Sequence, residues 1–442
     1  MRRAAYLLSL AFAAGLAAFA LAAGLAPAAG IPSAQAAPDL DAAAARLAER
    51  MQADRRWLHA HAELSLREHE TQAYLRRELA ALPGLKLVEG EWGTGLVALV
   101  RGGKPGPLVA WRADMDALPL SEATGLGFAC TRRDTVTGGR ETGVMHACGH
   151  DIHMAVGLGL ARLASELRGE LPGTLMLVFQ PAEEVGAGAM QMIAAGLFAE
   201  GRRPKSILAL HVHPTLDVGQ LGYCPGWATA NVDGFVLTVK GDGGHGAYPH
   251  RGADPVTLAA EMVLAFQTLV AREIDVNHNA VISVGRIEGG AKSNVIPNEV
   301  LIEATVRSQD DSTRQALADK VTRTVNGLAA AAGAPAPALE YYFGTAAGYN
   351  DPAIVKQVMA VVERVLGPAA AQSYLPGMGG EDFAYYGREV PGFQFRLGTA
   401  SPGGVGAAAG LHTASYTPDE AALEIGLRVA AAALWDQLER GD

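Results

Sequence analysis

The stretch Met145-His146-Ala147-Cys148-Gly149-His150-Asp151-Ile152-His153 places three imidazoles, a thiol and a carboxylate side by side. Soft and borderline metal ligands at that density exceed what a hydrophobic core needs. Gly149 permits a turn tight enough for Cys148 and His150 to converge on one point. Taken alone, the Cys-x-His pair is equally compatible with a buried thiol beside a surface imidazole. Ligands from elsewhere in the chain must decide.

Four further places offer them. Arg112-Ala113-Asp114-Met115-Asp116 ends a buried apolar run before Pro119. Its carboxylates suit either direct contact with a metal or, the favoured reading, a supporting role that holds a ligand imidazole in one tautomer. The apolar run Leu175–Gln180 leads at once into Pro181-Ala182-Glu183-Glu184. Adjacent acids on an irregular turn after a strand can take different tasks, one binding metal and the other handling a proton. Ser206–His211 ends in His211-Val212-His213-Pro214. Alternation puts both imidazoles on one face, Pro214 makes the second position loop-like, and His211 is the chosen ligand candidate. His412 closes a Gly-rich segment just before the last helix, where it could complete a site or be an ordinary loop residue.

The elements that must position these groups follow from periodicity. Helices are expected over Asp41–His61, Glu68–Leu82 and Met154–Leu167, and strands over Leu85–Val88, Gly95–Arg101 and Leu108–Arg112. His59 and His61 read as solvated or structural. Beyond Trp227 the order is strand, helix, strand, strand, helix, strand, over Asn231–Lys240, Asp254–Arg272, Ala280–Glu288, Val300–Ser308, Asp311–Ala331 and Ala338–Phe343. That is the ferredoxin-like order. Because candidate ligands flank it on both sides, it reads as an insertion. The expected fold is α/β, a mixed-sheet catalytic domain with helices on both faces (37–226 and 344–442) and an inserted ferredoxin-like α+β lid or dimerisation domain (227–343).

The bulk numbers bound the function. A chain of 442 residues with 49% hydrophobic residues can bury a core of two-domain size. A net charge of -10 argues against nucleic acid or an anionic membrane as partner. Residues 1–36 read as an export signal: Arg2-Arg3, an apolar run from Ala4 to about Gly30, then Ala34-Gln35-Ala36 as a cleavage site. An uncleaved anchor is the alternative, disfavoured by small residues, Pro27 and Pro32. The expected destination is the periplasm or the exterior. Of the three cysteines, Cys130 and Cys224 are left as a disulfide pair or as two inert buried thiols.

Nine blocks in register, LHAHAEL, WRADMDALP, MHACGHDIH, FQPAEEVGAGA, LHVHP, GGHGAYPH, SNVIP, GMGGEDF and LHTASY, resemble the metal-dependent amidohydrolases and exopeptidases that include aminoacylase and glutamate carboxypeptidase. The resemblance runs from about Arg55 to Gly426 and is nearest to the hippurate and auxin-conjugate hydrolases. It implies two divalent ions, zinc or manganese first and cobalt or nickel less firmly, held by Cys148, His150, Glu184, His211 and His412, with Cys148 bridging. It implies Glu183 as general base and then acid, Asp116 as an orienting group, and His245 as an oxyanion donor that in relatives reaches into the partner's site of a dimer. Asn294 and Arg307 would hold the substrate's carboxylate. Ala62, His213 and Cys224 depart from the family pattern and touch packing or the pocket rim. The activity implied is hydrolysis of small-molecule N-acyl amino acids or short peptides by a homodimer or higher homo-oligomer, with a di- or tripeptide carboxypeptidase as the alternative. A binding protein on a degenerate scaffold would lack ligands that are present here, and a Cys148 nucleophile would be insensitive to chelators.

Overall fold

A computed structural model describes residues 38–199, 201–401 and 409–441. The expected export signal lies outside them. Among the described residues no helix is long and apolar enough to cross a membrane.

An eight-stranded mixed sheet forms the centre of the catalytic part. Its order is Leu85–Val88, Leu96–Arg101, Pro172–Gln180, Lys104–Asp114, Ser206–Asp217, Gly392–Ala400, Leu221–Tyr223 and Ala371–Ser373. The four middle strands run parallel. Their central stretches are buried and largely apolar because both faces are covered. Val109, Trp111, Leu175, Leu177, Leu208 and Leu210 point to one side, into a core shared with helices Leu40–Ala60, His150–Glu166, Pro352–Leu366 and Ala421–Glu439. The intervening Ala110, Met176, Val178, Ile207 and Ala209 point to the other, where Met192, Phe383 and Tyr386 of two short helices cover them. The period of two sorts one run of apolar residues onto two cores.

The inserted part is a four-stranded antiparallel sheet in the order Ala280–Glu288, Glu299–Ser308, Asn231–Lys240, Ala338–Phe343. Helices Pro255–Glu273 and Asp311–Ala331 pack on one face, burying Phe235, Leu237, Ile302, Phe266 and Val321 in a separate core. Asp254 and Asp310 cap these helices by accepting hydrogen bonds from Val256 N and Thr313 N. Gly226–Trp227 pairs antiparallel with Tyr349–Asn350, so the two connections into the insertion run side by side.

Two boundaries differ from the sequence reading in ways that matter to the site. The helix expected from Met154 starts at His150, after Gly149 in the left-handed region (φ 76°). A Cβ at Gly149 would also lie 2.5 Å from Val212 Cγ2. The strand expected to end at His211 runs through Pro214 to Asp217, so His213 is a strand residue. All three cysteines are free and buried, which is the unpaired alternative for Cys130 and Cys224.

Candidate metal centre

The five proposed ligands meet at the C-terminal ends of the parallel strands; Cys148, Glu184, His211 and His412 line a cavity of about 900 Å³, and His150 lies buried beside them. Cys148 Sγ lies 3.5 Å from His211 Nε2 and 3.3 Å from His412 Nε2. Glu184 places one carboxylate oxygen 3.8 Å from His150 Nε2 and the other 3.7 Å from His412 Nε2. Two triads of donors result, Cys148–His150–His211 and Cys148–Glu184–His412. They share the thiol, which is the arrangement a bridging ligand requires.

Two of the three ligand imidazoles are aimed by their second nitrogen. His150 Nδ1 donates to the main-chain oxygen of Asp116 at 2.8 Å, and His211 Nδ1 donates to Val212 O at 2.8 Å. Both leave Nε2 as the donor atom for a metal. His412 sits in the left-handed region (φ 63°), held by its N–H to Ala147 O at 2.9 Å. Strain in a non-glycine residue is stored where the surrounding structure dictates the position.

The acids are aimed by Asp116. Its two oxygens accept the main-chain N–H groups of Glu183 at 3.0 Å and Glu184 at 2.9 Å, and Ser65 Oγ donates to it at 2.6 Å. The preceding Ala182 is also left-handed (φ 54°), with its N–H bonded to the buried Glu68. The turn therefore presents two adjacent carboxylates in different directions. That of Glu183 accepts no hydrogen bond from any described residue and faces the cavity.

These residues fit a pair of cations. His150 Nε2 and Glu184 Oε1 are buried and have no hydrogen-bond partner. An orphaned buried acceptor is costly, and a bound ion removes the deficit. Burial opposes charge on His150, yet Asp114 and Cys148 outweigh it and raise its pKa well above the ordinary value. The surroundings thus favour positive charge at this point. Burial, then Arg396, holds His211 well below its ordinary value, in the neutral form that binds metal. Burial, then the neighbouring Glu381, Asp382 and Glu184, pushes Glu183 well up, and burial lifts Glu184 to about 7.

Several groups beneath this layer were not assigned a role from sequence. Arg112 is fully buried and donates to Asp114, Glu381, Asp382 and Gln180 at 2.5 to 3.0 Å. It balances the acids that crowd Glu183. His153 is satisfied at both nitrogens, donating to Asp114 and accepting from Val212 N at 3.0 Å, so the Asp114–His150–His153 group is support, not a third ion site. His59 is buried, bonded to Asp151 at 2.9 Å and Glu122 at 3.1 Å, which makes it structural and not solvated. The block GMGGEDF pointed to the acids, but their common cation lies 269 residues away in Arg112.

Of the residues assigned to substrate, Arg307 lines the cavity. His245 and Asn294 do not line it. They lie together on the insertion, where Gly244–His245 pairs with Val295–Ile296 and Gly246 N donates to Asn294 O.

Comparison with known proteins agrees with this geometry. Residues 110–436 match the model of Peptidase family M20/M25/M40. An N-acetylcysteine deacetylase of Bacillus subtilis is 36% identical over 84% of this chain and 92% of its own. An N-acetyldiaminopimelate deacetylase of Bacillus licheniformis is 37% identical over 87% and 97%. A dinuclear metal binding peptidase from the M20 family of Bacillus subtilis superposes with a TM-score of 0.75 at 32% identity, covering 90% of this chain and 99% of the other. The chain belongs to peptidase family M20/M25/M40 and is a metal-dependent amidohydrolase.

Proposed function

We propose that this protein hydrolyses N-acyl amino acids to a carboxylic acid and a free amino acid, with two divalent ions, zinc or manganese, held by Cys148, His150, Glu184, His211 and His412. The observation that carries the reading is the pair of donor triads sharing Cys148, with the unbonded carboxylate of Glu183 beside them. The relatives named for N-acetyl amino acids support the substrate class.

Divalent ions in this donor set supply the Lewis acidity that acidifies a water and polarises an amide carbonyl. Glu183 accepts the proton of the attacking water. Like charges and burial raise its proton affinity towards the range where a carboxylate can both take and return a proton. It then delivers that proton to the leaving nitrogen. Asp116 keeps the Glu183–Glu184 turn in place throughout. Arg307 has no carboxylate partner among the described residues and offers its fork to the substrate's α-carboxylate.

His245 and Asn294 are proposed to act from a second copy of the chain, since they do not line the cavity of their own. Mixing a His245→Ala variant with a Glu183→Gln variant then restores part of the activity by pairing one intact half of each. The same mixture staying inactive would place the complete site within one chain. Export, with cleavage after Ala36, is also proposed, and N-terminal sequencing of the mature protein tests it.

The test of the function is a panel of N-acetyl, N-benzoyl and dipeptide substrates given to metal-stripped protein refilled with zinc, manganese, cobalt or nickel. Turnover of N-acyl amino acids above dipeptides is expected. Preference for dipeptides would make the protein a carboxypeptidase.

A further inference from the structure

The cavity contains a second guanidinium for which cleavage of a simple N-acyl amino acid has no use. Arg396 lies on the Gly392–Ala400 strand, in parallel register with His211. Its stem packs beside Gly222 and Tyr374: a Cβ at Gly222 would meet Arg396 Cβ and Tyr374 Cδ1, each at 3.1 Å. Its head lines the same cavity as Cys148 and Glu183. Among the described residues no carboxylate lies within ion-pair distance of it, whereas the buried Arg55 and Arg112 are paired; Arg307, on the same cavity, is likewise without a carboxylate. Residues 402–408, the sequence that follows this strand, contain no acid.

A half-buried cation without a counter-ion is unfavourable unless something supplies one. The nearby groups do not. His213 lines the same wall but, as an imidazole, supplies no negative charge. Arg307 offers a cation from the inserted domain, and Arg396 with His213 offers another from the catalytic sheet. One α-carboxylate satisfies the first and leaves the second open.

We propose that Arg396, assisted by His213, is a specificity-determining residue that selects substrates bearing a second carboxylate. This rests on the N-acyl amino acid reading and narrows it. The second carboxylate can come from two sources, the side chain of an acidic amino acid or a dicarboxylic acyl group. The shared chemistry is an anion that a guanidinium binds in a fork.

The experiment compares kcat/KM for N-acetyl-alanine, N-acetyl-glutamate and N-succinyl-alanine in the metal-loaded full chain, in Arg396→Leu and in Arg396→Lys. At least one dianionic substrate should exceed N-acetyl-alanine by roughly 30-fold or more, the scale of a charge-assisted hydrogen bond at a partly desolvated site. Whichever dianion is preferred identifies the half of the substrate that Arg396 reads. Arg396→Leu should collapse that ratio, mainly through KM, and Arg396→Lys should restore part of it. A wild-type ratio near one, or a ratio unchanged in Arg396→Leu, overturns the proposal. If none of the three amides is cleaved, it is the N-acyl amino acid reading itself that fails.

Discussion

Replacing Asp116 by Asn separates the role of its carboxylate from that of its main chain. The wild-type side chain accepts one N–H on each oxygen, from Glu183 at 3.0 Å and Glu184 at 2.9 Å. Asn keeps one acceptor and turns an NH2 group towards the other N–H. One charge-assisted bond is lost, about 1.5–3 kcal/mol, and a buried donor is left unmatched, a further ~1–3 kcal/mol. Relaxation of the turn absorbs part of this, leaving about 3 kcal/mol, or roughly 10²-fold at 1.4 kcal/mol per decade. The main-chain oxygen that orients His150 is untouched by the substitution. The loss should therefore act through the acids: weaker ion retention through Glu184, and lower kcat at saturating metal through Glu183. Competition against a chelator measures the first and steady-state kinetics with excess metal the second. Ser65→Ala removes one hydroxyl donor to Asp116 and should show a smaller effect of the same kind. An Asp116→Asn protein with ion affinity and kcat within threefold of wild type would refute the positioning role.

Other consequences follow from the same geometry. Glu183→Gln should keep both ions, since the five donors are intact, and lose turnover by three orders of magnitude or more; retained turnover removes Glu183 from the proton path. Arg112→Met leaves Asp114, Glu381 and Asp382 buried without their common cation and should destabilise the fold by about 3–5 kcal/mol in urea unfolding, where a change below 1 kcal/mol contradicts it. Burial works against a charge on His59, but the hydrogen bonds it donates to Asp151 and Glu122 prevail and raise its pKa from 6.5 to about 9. A raised pKa gives stability that is fully present below pH 6.5 and lost as pH rises through about 9. The stability gap between wild type and His59→Gln should thus shrink by about 3 kcal/mol between pH 6 and pH 10, and a gap that does not change with pH would remove the charged His59 from the account.

Long elements with a clean period were legible in the sequence. Asn231–Lys240, Ala280–Glu288, Asp311–Ala331 and Ala338–Phe343 form with the expected limits, because alternation or helical spacing there has no competing signal. Proline at position 214 misled, since the chain keeps extended geometry through it to Asp217. The short pairs Gly226–Trp227 with Tyr349–Asn350 and Gly244–His245 with Val295–Ile296 were not foreseen. Two-residue strands have no periodicity of their own and form only when tertiary structure brings them together. Cys148, His150 and His211 were legible as ligand candidates because they are chemically conspicuous where they stand, whereas His412 read as a loop residue and joined them only through the family resemblance. Their supports were legible only in part. Asp116 was read as an orienting group, but its partners, the main-chain amides 67 and 68 positions away, are announced by no residue type. Arg396 looks like an ordinary strand charge until its neighbours are known.

The account rests on two cations sharing one thiolate. Anomalous diffraction from crystals grown with zinc or manganese measures this directly. Two peaks per chain are predicted, both within bonding distance of Cys148 Sγ, one also contacting His150 and His211 and the other Glu184 and His412. A single ion elsewhere, or full turnover by protein stripped of metal, would contradict it.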